Sequence, residues 1–347
     1  MNNHFKKILV VRTDRIGDVV LTTPIFKALR ENYPQAHIAA MVSPRTKEIL
    51  EGSPYIDEII VYDKDKHHKG IAAFWKFILG LKNKRFDLAI VLHTKKRMNL
   101  ITFLANIPRR IGFAEKGKFS LLLTDRLKDT RPLGLKHEAD YCLDVLKELG
   151  LKISERKLHV PLKKEALDWA DKVLAENGIN KGDKIVAIHP GASCPSKRWF
   201  KDRFVALADK LAHDYGFKII IISGLKDIAI ANDIGKSSKH KIVNLAGKIS
   251  LAQTAAILKQ VNIFISNDSG PVHIASAVGT PVISIFGRNQ PGLSPLRWGP
   301  LGERDKYLHK PAGCSICLAH KCVKGFDCLK AITVEDVLGA VDKILQK

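Results

Sequence analysis

Four short segments of this chain gather carboxylate, hydroxyl, cationic and glycine residues at spacings suited to chemistry. In Arg12-Thr13-Asp14-Arg15-Ile16-Gly17-Asp18, Gly17 lets the backbone pass close to a ligand. Asp18 opens a helix there, either as its N-cap or as a general base aimed at a hydroxyl; Asp14 is the rival base. His189-Pro190-Gly191-Ala192-Ser193-Cys194-Pro195-Ser196-Lys197-Arg198-Trp199 combines a glycine, small hydroxyls and two adjacent cations, the chemistry of a phosphate-holding loop. Arg198 and Trp199 also suit a plainer role as loop anchors. In Ser223-Gly224-Leu225-Lys226-Asp227, Asp227 could accept hydrogen bonds from ribose hydroxyls or cap a helix. In Asn267-Asp268-Ser269-Gly270-Pro271-Val272-His273, Ser269 and Gly270 stand at a helix N-terminus, where unpaired amides and the helix dipole attract phosphate oxygens. Asp268 would repel a phosphate and is expected to orient the loop or bond a sugar hydroxyl. His273 lies in the first helical turn, as a structural residue or within reach of a leaving phosphate.

Strands must hold each of these segments. Ile8-Leu9-Val10-Val11 is an all-apolar run, the mark of a strand covered on both faces. Further strands are expected at His37 to Val42, Glu58 to Tyr62, Phe86 to Leu92 and around Ile111, alternating with helices such as Asp18 to Tyr33 and His137 to Leu149. Leu151 to Lys164 is polar, contains Pro161 and reads as a connection. A second alternation follows: helix Glu165 to Asn177, strand Ile185 to Ile188, helix Lys201 to Tyr215, strand Lys218 to Ser223, helix Ala252 to Gln260, strand Ile263 to Ser266, helix His273 to Val278 and strand Val282 to Phe286. A last helix is expected over Val334 to Leu345. The expectation is an α/β chain of two doubly wound domains, 1–163 and 164–347. Each of the four segments follows a strand, where ligands of such folds bind.

The 347 residues suit two domains. No apolar run approaches the ~20 residues that span a bilayer, and Met1 to Lys7 is too polar for a secretory signal. With 57 Lys and Arg against 35 Asp and Glu, the net charge is +22. Such a field favours nucleic acid, a phospholipid surface or a phosphorylated glycan, unless it only solvates the surface. Between Lys82 and Lys136 fourteen cations face four acids, several in the short stretches Lys95-Lys96-Arg97, Arg109-Arg110, Lys116 and Lys118. A nucleic-acid-binding protein is the runner-up from another class, but aromatics are only 7% and are not interleaved with the cations. The chain lacks a Walker A loop, a G-x-G-x-x-G after the first strand and a G-x-S-x-G elbow. Six cysteines are too few for a disulfide scaffold. Cys142 reads as a buried small hydrophobe. Cys314, Cys317, Cys322 and Cys328 have the ligand count of a zinc knuckle without its spacing, leaving reduced thiols or a metal open.

Taken together, "DRIGDVVLTTPIFKALRENYP", "HPGASCPSKRWF" and "NDSGPVHIASAVGTPVISIFG" resemble glycosyltransferase family nine, the ADP-heptose:lipopolysaccharide heptosyltransferases. "RRIGF" and the cysteine-bearing tail extend the resemblance over nearly the whole chain. It implies a GT-B fold with an N-terminal acceptor domain and a C-terminal donor domain facing across a cleft, the last helix packing back on the first domain. It implies inverting transfer of a heptose from an ADP-heptose donor to the inner core of lipopolysaccharide, without cofactor or metal. By matching positions, Asp18 would be the catalytic base and Lys197 a phosphate contact. Ser193, Asp227, Asp268, Ser269, Gly270 and His273 would complete the donor site. Lys95, Lys96 and Arg97 lie where the acceptor's carboxylates and phosphates should bind. The implied setting is cytoplasmic, in peripheral contact with an anionic membrane leaflet and without nucleic acid; another nucleotide-sugar transferase or epimerase is the alternative within the fold.

Overall fold

The computed structural model describes residues 5–92, 96–114, 118–314, 317 and 322–346. They fall into two compact units: Met1–Pro132 with Glu138–Pro161, and Leu133–His137 with Leu162–Lys347.

The first unit is built on β1 (Lys7–Val11), β2 (His37–Val42), β3 (Glu58–Val61), β4 (Leu88–Val91), β5 (Arg109–Ala114) and β6 (Asp125–Lys128), with helices α1 (Ile16–Asn32), α2 (Ile71–Asn83), α3 (Lys96–Leu104) and α4 (Glu138–Glu148). All the strand pairs are parallel, in the order β3-β2-β1-β4-β5-β6. Strand β1 lies at the centre because Ile8 to Val11 are apolar on both faces and at most 1% exposed. Full burial of each such side chain contributes about 1.5–3 kcal/mol. Helix α1 continues through Pro24. It begins two residues earlier than expected, with Arg15 at the cap position, so Asp18 sits inside the first turn rather than capping it.

The second unit repeats the plan with β7 (Ile185–His189), β8 (Lys218–Ile221), β9 (Ile242–Asn244), β10 (Ile263–Asn267), β11 (Val282–Ile285) and β12 (Lys306–Leu308). Its helices are α5 (Lys164–Glu176), α6 (Lys201–His213), α7 (Ile228–Ser237), α8 (Leu251–Gln260), α9 (Gly270–Val278), the single turns α10 (Pro295–Trp298) and α11 (Asp327–Lys330), and α12 (Val334–Leu345). The parallel order is β12-β11-β10-β7-β8-β9.

Helix α12 packs within the second unit. Val337, Val341 and Ile344 of α12 are buried in the second unit's core with Trp199, Phe204, Leu207 and Ile285. The apolar stripe that marks α12 as a helix is used up against α6 and β11. The main crossing between units lies at Pro161–Leu162, two residues before the expected boundary, and Leu133–His137 group with the second unit.

In both sheets the strand order reverses beside the first strand, between β1 and β4 and between β7 and β10. Ligands of open α/β sheets bind in the crevice beyond the carboxyl ends at that reversal. Among the described residues no helix is long and apolar enough to cross a membrane.

Candidate active site

At the reversal in the first unit stands Arg12, one residue past β1 and 3% exposed. Its guanidinium gathers three carboxylates. Nε donates to Asp14 Oδ1 at 3.0 Å, and Nη2 donates to Asp18 Oδ1 at 2.7 Å and to Glu138 Oε1 at 2.8 Å. Nη1 reaches the Leu92 carbonyl just past β4, at 3.4 Å, and Cys142 Sγ at 3.7 Å. Arg131 donates to the same carbonyl at 3.2 Å, while Asp129 holds its Nε at 2.7 Å and Phe113 lies under its guanidinium at 3.9 Å. Two arginines thus fix the end of β4 against the end of β1. Asp18 keeps 14% of its side chain exposed and Asp14 20%, whereas Glu138 is enclosed at 1%. Burial raises Asp14 to about 6 against the pull of Arg12, and the neighbouring Asp18 and Glu138 charges push the same way. Burial pushes the Cys142 thiol up to about 12, so it stays neutral; it packs as the small hydrophobe that its place in the helix suggests.

The second unit assembles its site from the loops after β7, β10 and β11. Asn267, fully buried, is the tie: its Oδ1 accepts from the Trp199 amide at 2.9 Å and its Nδ2 donates to the Pro190 carbonyl at 2.7 Å. Trp199 is an anchor, with its indole nitrogen donating to Ile332 O at 3.0 Å. The turn Pro195–Lys197 then brings Lys197 Nζ to 2.8 Å from Asp268 Oδ2. That approach needs a glycine at position 287, because a Cβ there would meet the Ser196 carbonyl oxygen at 2.5 Å. The next residue, Arg288, reaches the same Asp268 oxygen with Nη2 at 3.3 Å.

Asp268 is therefore neutralised rather than opposed to an anion. Two cations face one carboxylate, with side chains 13%, 7% and 7% exposed for Lys197, Arg288 and Asp268. Arg288 Nε is buried without a hydrogen-bond partner among the described residues. Beside this cluster α9 begins at Gly270. Ser269 holds the cap position, but its side chain makes no cap bond; its hydroxyl meets Ser266 Oγ at 2.9 Å and His189 Nδ1 at 3.5 Å. The first-turn amides of α9 are left without a side-chain cap, the arrangement that receives anions. Burial pushes His189 down to about 4, so it is a neutral partner at pH 7. His273, in the first turn of α9, is buried.

The structure thus brings Lys197, Asp268, Ser269, Gly270 and His273 to one place beyond β10. Asp227 holds the cap position of α7 but makes no side-chain cap bond. Its carboxylate pairs with Arg198 Nη2 at 3.0 Å and lies where a Cβ on Gly191 would fall, 2.5 Å away. Ser193 is exposed, with a 4.0 Å contact to Cys194 Sγ, and is not gathered into this cluster. Lys96 and Arg97 open α3 with exposed side chains, and Arg97 lies over the rings of Phe74 and Tyr62 at 4.9 and 5.6 Å. Lys95 and Lys116 lie outside the described residues. The cysteines are free thiols, and among the described residues no three or more His, Cys, Asp or Glu side chains are grouped to hold a metal. Sequence reasoning missed Arg12, Glu138 and Arg288. Arg12 sat inside a segment already singled out, while Glu138 and Arg288 carry no local signal.

Residues 74–326 match the profile of Glycosyltransferase family 9 (heptosyltransferase). The chain is 28% identical to the lipopolysaccharide core heptosyltransferase OpsX of Haemophilus influenzae, over 98% of this chain and 97% of that protein. It is 27% identical to lipopolysaccharide heptosyltransferase 2 of Salmonella typhimurium, over 92% and 91%. The crystal structure of a glycosyl transferase family 9 protein from Veillonella parvula superposes with a TM-score of 0.86 at 25% identity, covering 100% of this chain and 99% of that one. The matched range contains the whole cluster around Asp268 and begins after Asp18.

Proposed function

The chain belongs to glycosyltransferase family 9, and on that premise we propose that it moves a heptose from an ADP-heptose donor to the inner core of lipopolysaccharide, with inversion at the anomeric carbon. The donor lies on the second unit and the acceptor on the first. Asp18 takes the proton from the acceptor hydroxyl. That oxygen attacks the anomeric carbon from the face opposite the diphosphate, and the bond to the diphosphate breaks with its electron pair going to ADP. Lys197, Arg288 and the uncapped first turn of α9 meet the charge that develops on the leaving group. Asp227 and His273 complete the donor site at the ribose and the diphosphate. Lys95, Lys96 and Arg97 receive the acceptor's anionic groups. The setting is the cytoplasmic face of the inner membrane, with no nucleic-acid partner.

One observation carries the donor reading: Lys197 and Arg288 share a single carboxylate oxygen in an enclosed place. The trio keeps one positive charge in surplus, and an uncompensated buried charge is costly until a counter-charge arrives. A diphosphate supplies it. A hydrogen bond to a charged group is worth about 1.5–3 kcal/mol, roughly tenfold or more in Kd. Lys197→Ala and Arg288→Ala should each weaken ADP binding by about that factor in calorimetry; two unchanged affinities would remove the assignment. A panel of nucleotide sugars in thermal melts tests the sugar. ADP-heptose should raise the melting temperature most, and a larger rise with a UDP-sugar would contradict the proposal.

A further inference from the structure

Helix α2 has two apolar faces, and the first unit uses only one. Phe74, Phe77 and Leu81 pack against the core around Tyr62 and Val91, and Ile78 is buried beside them. The other face carries Ile71, Trp75 and Leu79, exposed by 80%, 47% and 56%. Their spacing of four residues stacks them in one stripe along the helix. Single exposed apolar residues need no explanation, but a contiguous patch does. Covering this one by folding would require another element, and α2 has already spent its inward face.

The charges around the stripe identify what covers it. From Lys66 to Phe86 the sequence holds six cations and no acid. Lys84 turns to Glu58; Lys66, Lys69, Lys76, Lys82 and Arg85 are exposed. On the helix, Lys82 falls beside Trp75 and Leu79, and Lys76 borders the stripe on its other side by the same spacing rule. An apolar stripe with a tryptophan, edged by lysines, is the composition of a helix that lies in a membrane interface rather than across it. The tryptophan settles at headgroup depth, and each nearby cation is drawn to anionic headgroups. An acidic protein partner would be met by the cations but would leave a tryptophan and two aliphatic side chains to find matching apolar surface.

We propose that α2 is the membrane-docking element of this protein: Ile71, Trp75 and Leu79 enter the interface of an anionic leaflet while Lys69, Lys76, Lys82 and Arg85 bind its phosphate headgroups. This rests on the reading that the acceptor is a membrane glycolipid, yet it is measured without donor or acceptor. The probe is full-length protein mixed with phosphatidylcholine vesicles, with or without phosphatidylglycerol. Co-sedimentation is expected with phosphatidylglycerol only, and it should fall as salt is raised. Emission from Trp75 should shift to the blue on binding. Trp75→Phe should keep the binding and lose the shift, since phenylalanine preserves the apolar contact. Trp75→Glu with Leu79→Glu should weaken vesicle binding at least about tenfold while leaving the thermal melt and ADP affinity unchanged. Three results would overturn the proposal: vesicle binding unchanged in the double variant, a blue shift that survives Trp75→Phe, or absence of vesicle binding by the wild type, in which case a dimer that the double variant converts to monomer would identify a second copy as the cover. None of them touches the assignment of the donor, which the nucleotide panel decides separately.

Discussion

Two residues at the candidate sites have charges balanced in opposite ways. In the first unit one guanidinium, Arg12, serves three carboxylates; in the second, one carboxylate, Asp268, serves two cations. The first site keeps negative charge in surplus, as the proposed base requires, and the second keeps positive charge in surplus, as the proposed leaving anion requires. Burial in the first site has a measurable consequence. Asp14 titrates at about 6, above its ordinary 3.8, because burial penalises its charged form. A raised carboxyl pKa favours the folded state while the group is protonated, and that contribution is lost as pH rises from about 4 through 6. The wild type should therefore lose melting temperature relative to Asp14→Asn between pH 4 and pH 8. Parallel thermal melts check this, and a pH-independent difference would show that Asp14 is not perturbed. At this scale the sequence was half legible. Asp18, Lys197 and Asp268 stand in short patterned segments. Glu138 lies 126 residues from Arg12, and nothing local could pair them. Asp268 looked wrong for a phosphate site because Arg288, its second cation, follows β11 without any motif.

At the scale of elements, the two sites are placed by strand ends. Asn267, the last residue of β10, holds the loop after β7 through the Pro190 carbonyl and the Trp199 amide. Asn267→Ala would strand both groups in a buried place, at a cost of about 1–3 kcal/mol for each unsatisfied group. The expected outcome is a clear fall in melting temperature together with weaker ADP binding, since Lys197 leaves its position; melts and calorimetry on one preparation check both. Unchanged ADP affinity would mean that the loop is positioned by other contacts. The central strands were readable because Ile8 to Val11 and Ile263 to Ile265 are unbroken apolar runs buried on both faces. The strands β6, β9 and β12 were not. They are three or four residues long at sheet edges, too short to show a period, and β6 is Asp-Arg-Leu-Lys with alternating partial exposure. Helix α7 escaped because Asn232 and Gly235 interrupt its pattern.

For the whole molecule, two repeats of one sheet plan were legible from the alternation of strands and helices. The element that α12 packs on within its own unit carries no such signal. The apolar stripe of α12 signals only that it must be covered, and the partner proved to be α6 of its own unit. The proposals together assign the net charge of +22 to three anionic partners: the donor's diphosphate, the acceptor's anionic groups and the leaflet proposed for α2. The central claim is a reaction, and one measurement reaches it: the mass of a lipopolysaccharide-core acceptor incubated with ADP-heptose and the purified protein, followed with the release of ADP. The wild type should add one heptosyl residue for each ADP released, and Asp18→Asn should add none while binding ADP with wild-type affinity. Full transfer by Asp18→Asn would contradict the assignment of the base, and failure of the wild type to add heptose where another nucleotide sugar is transferred would contradict the account as a whole.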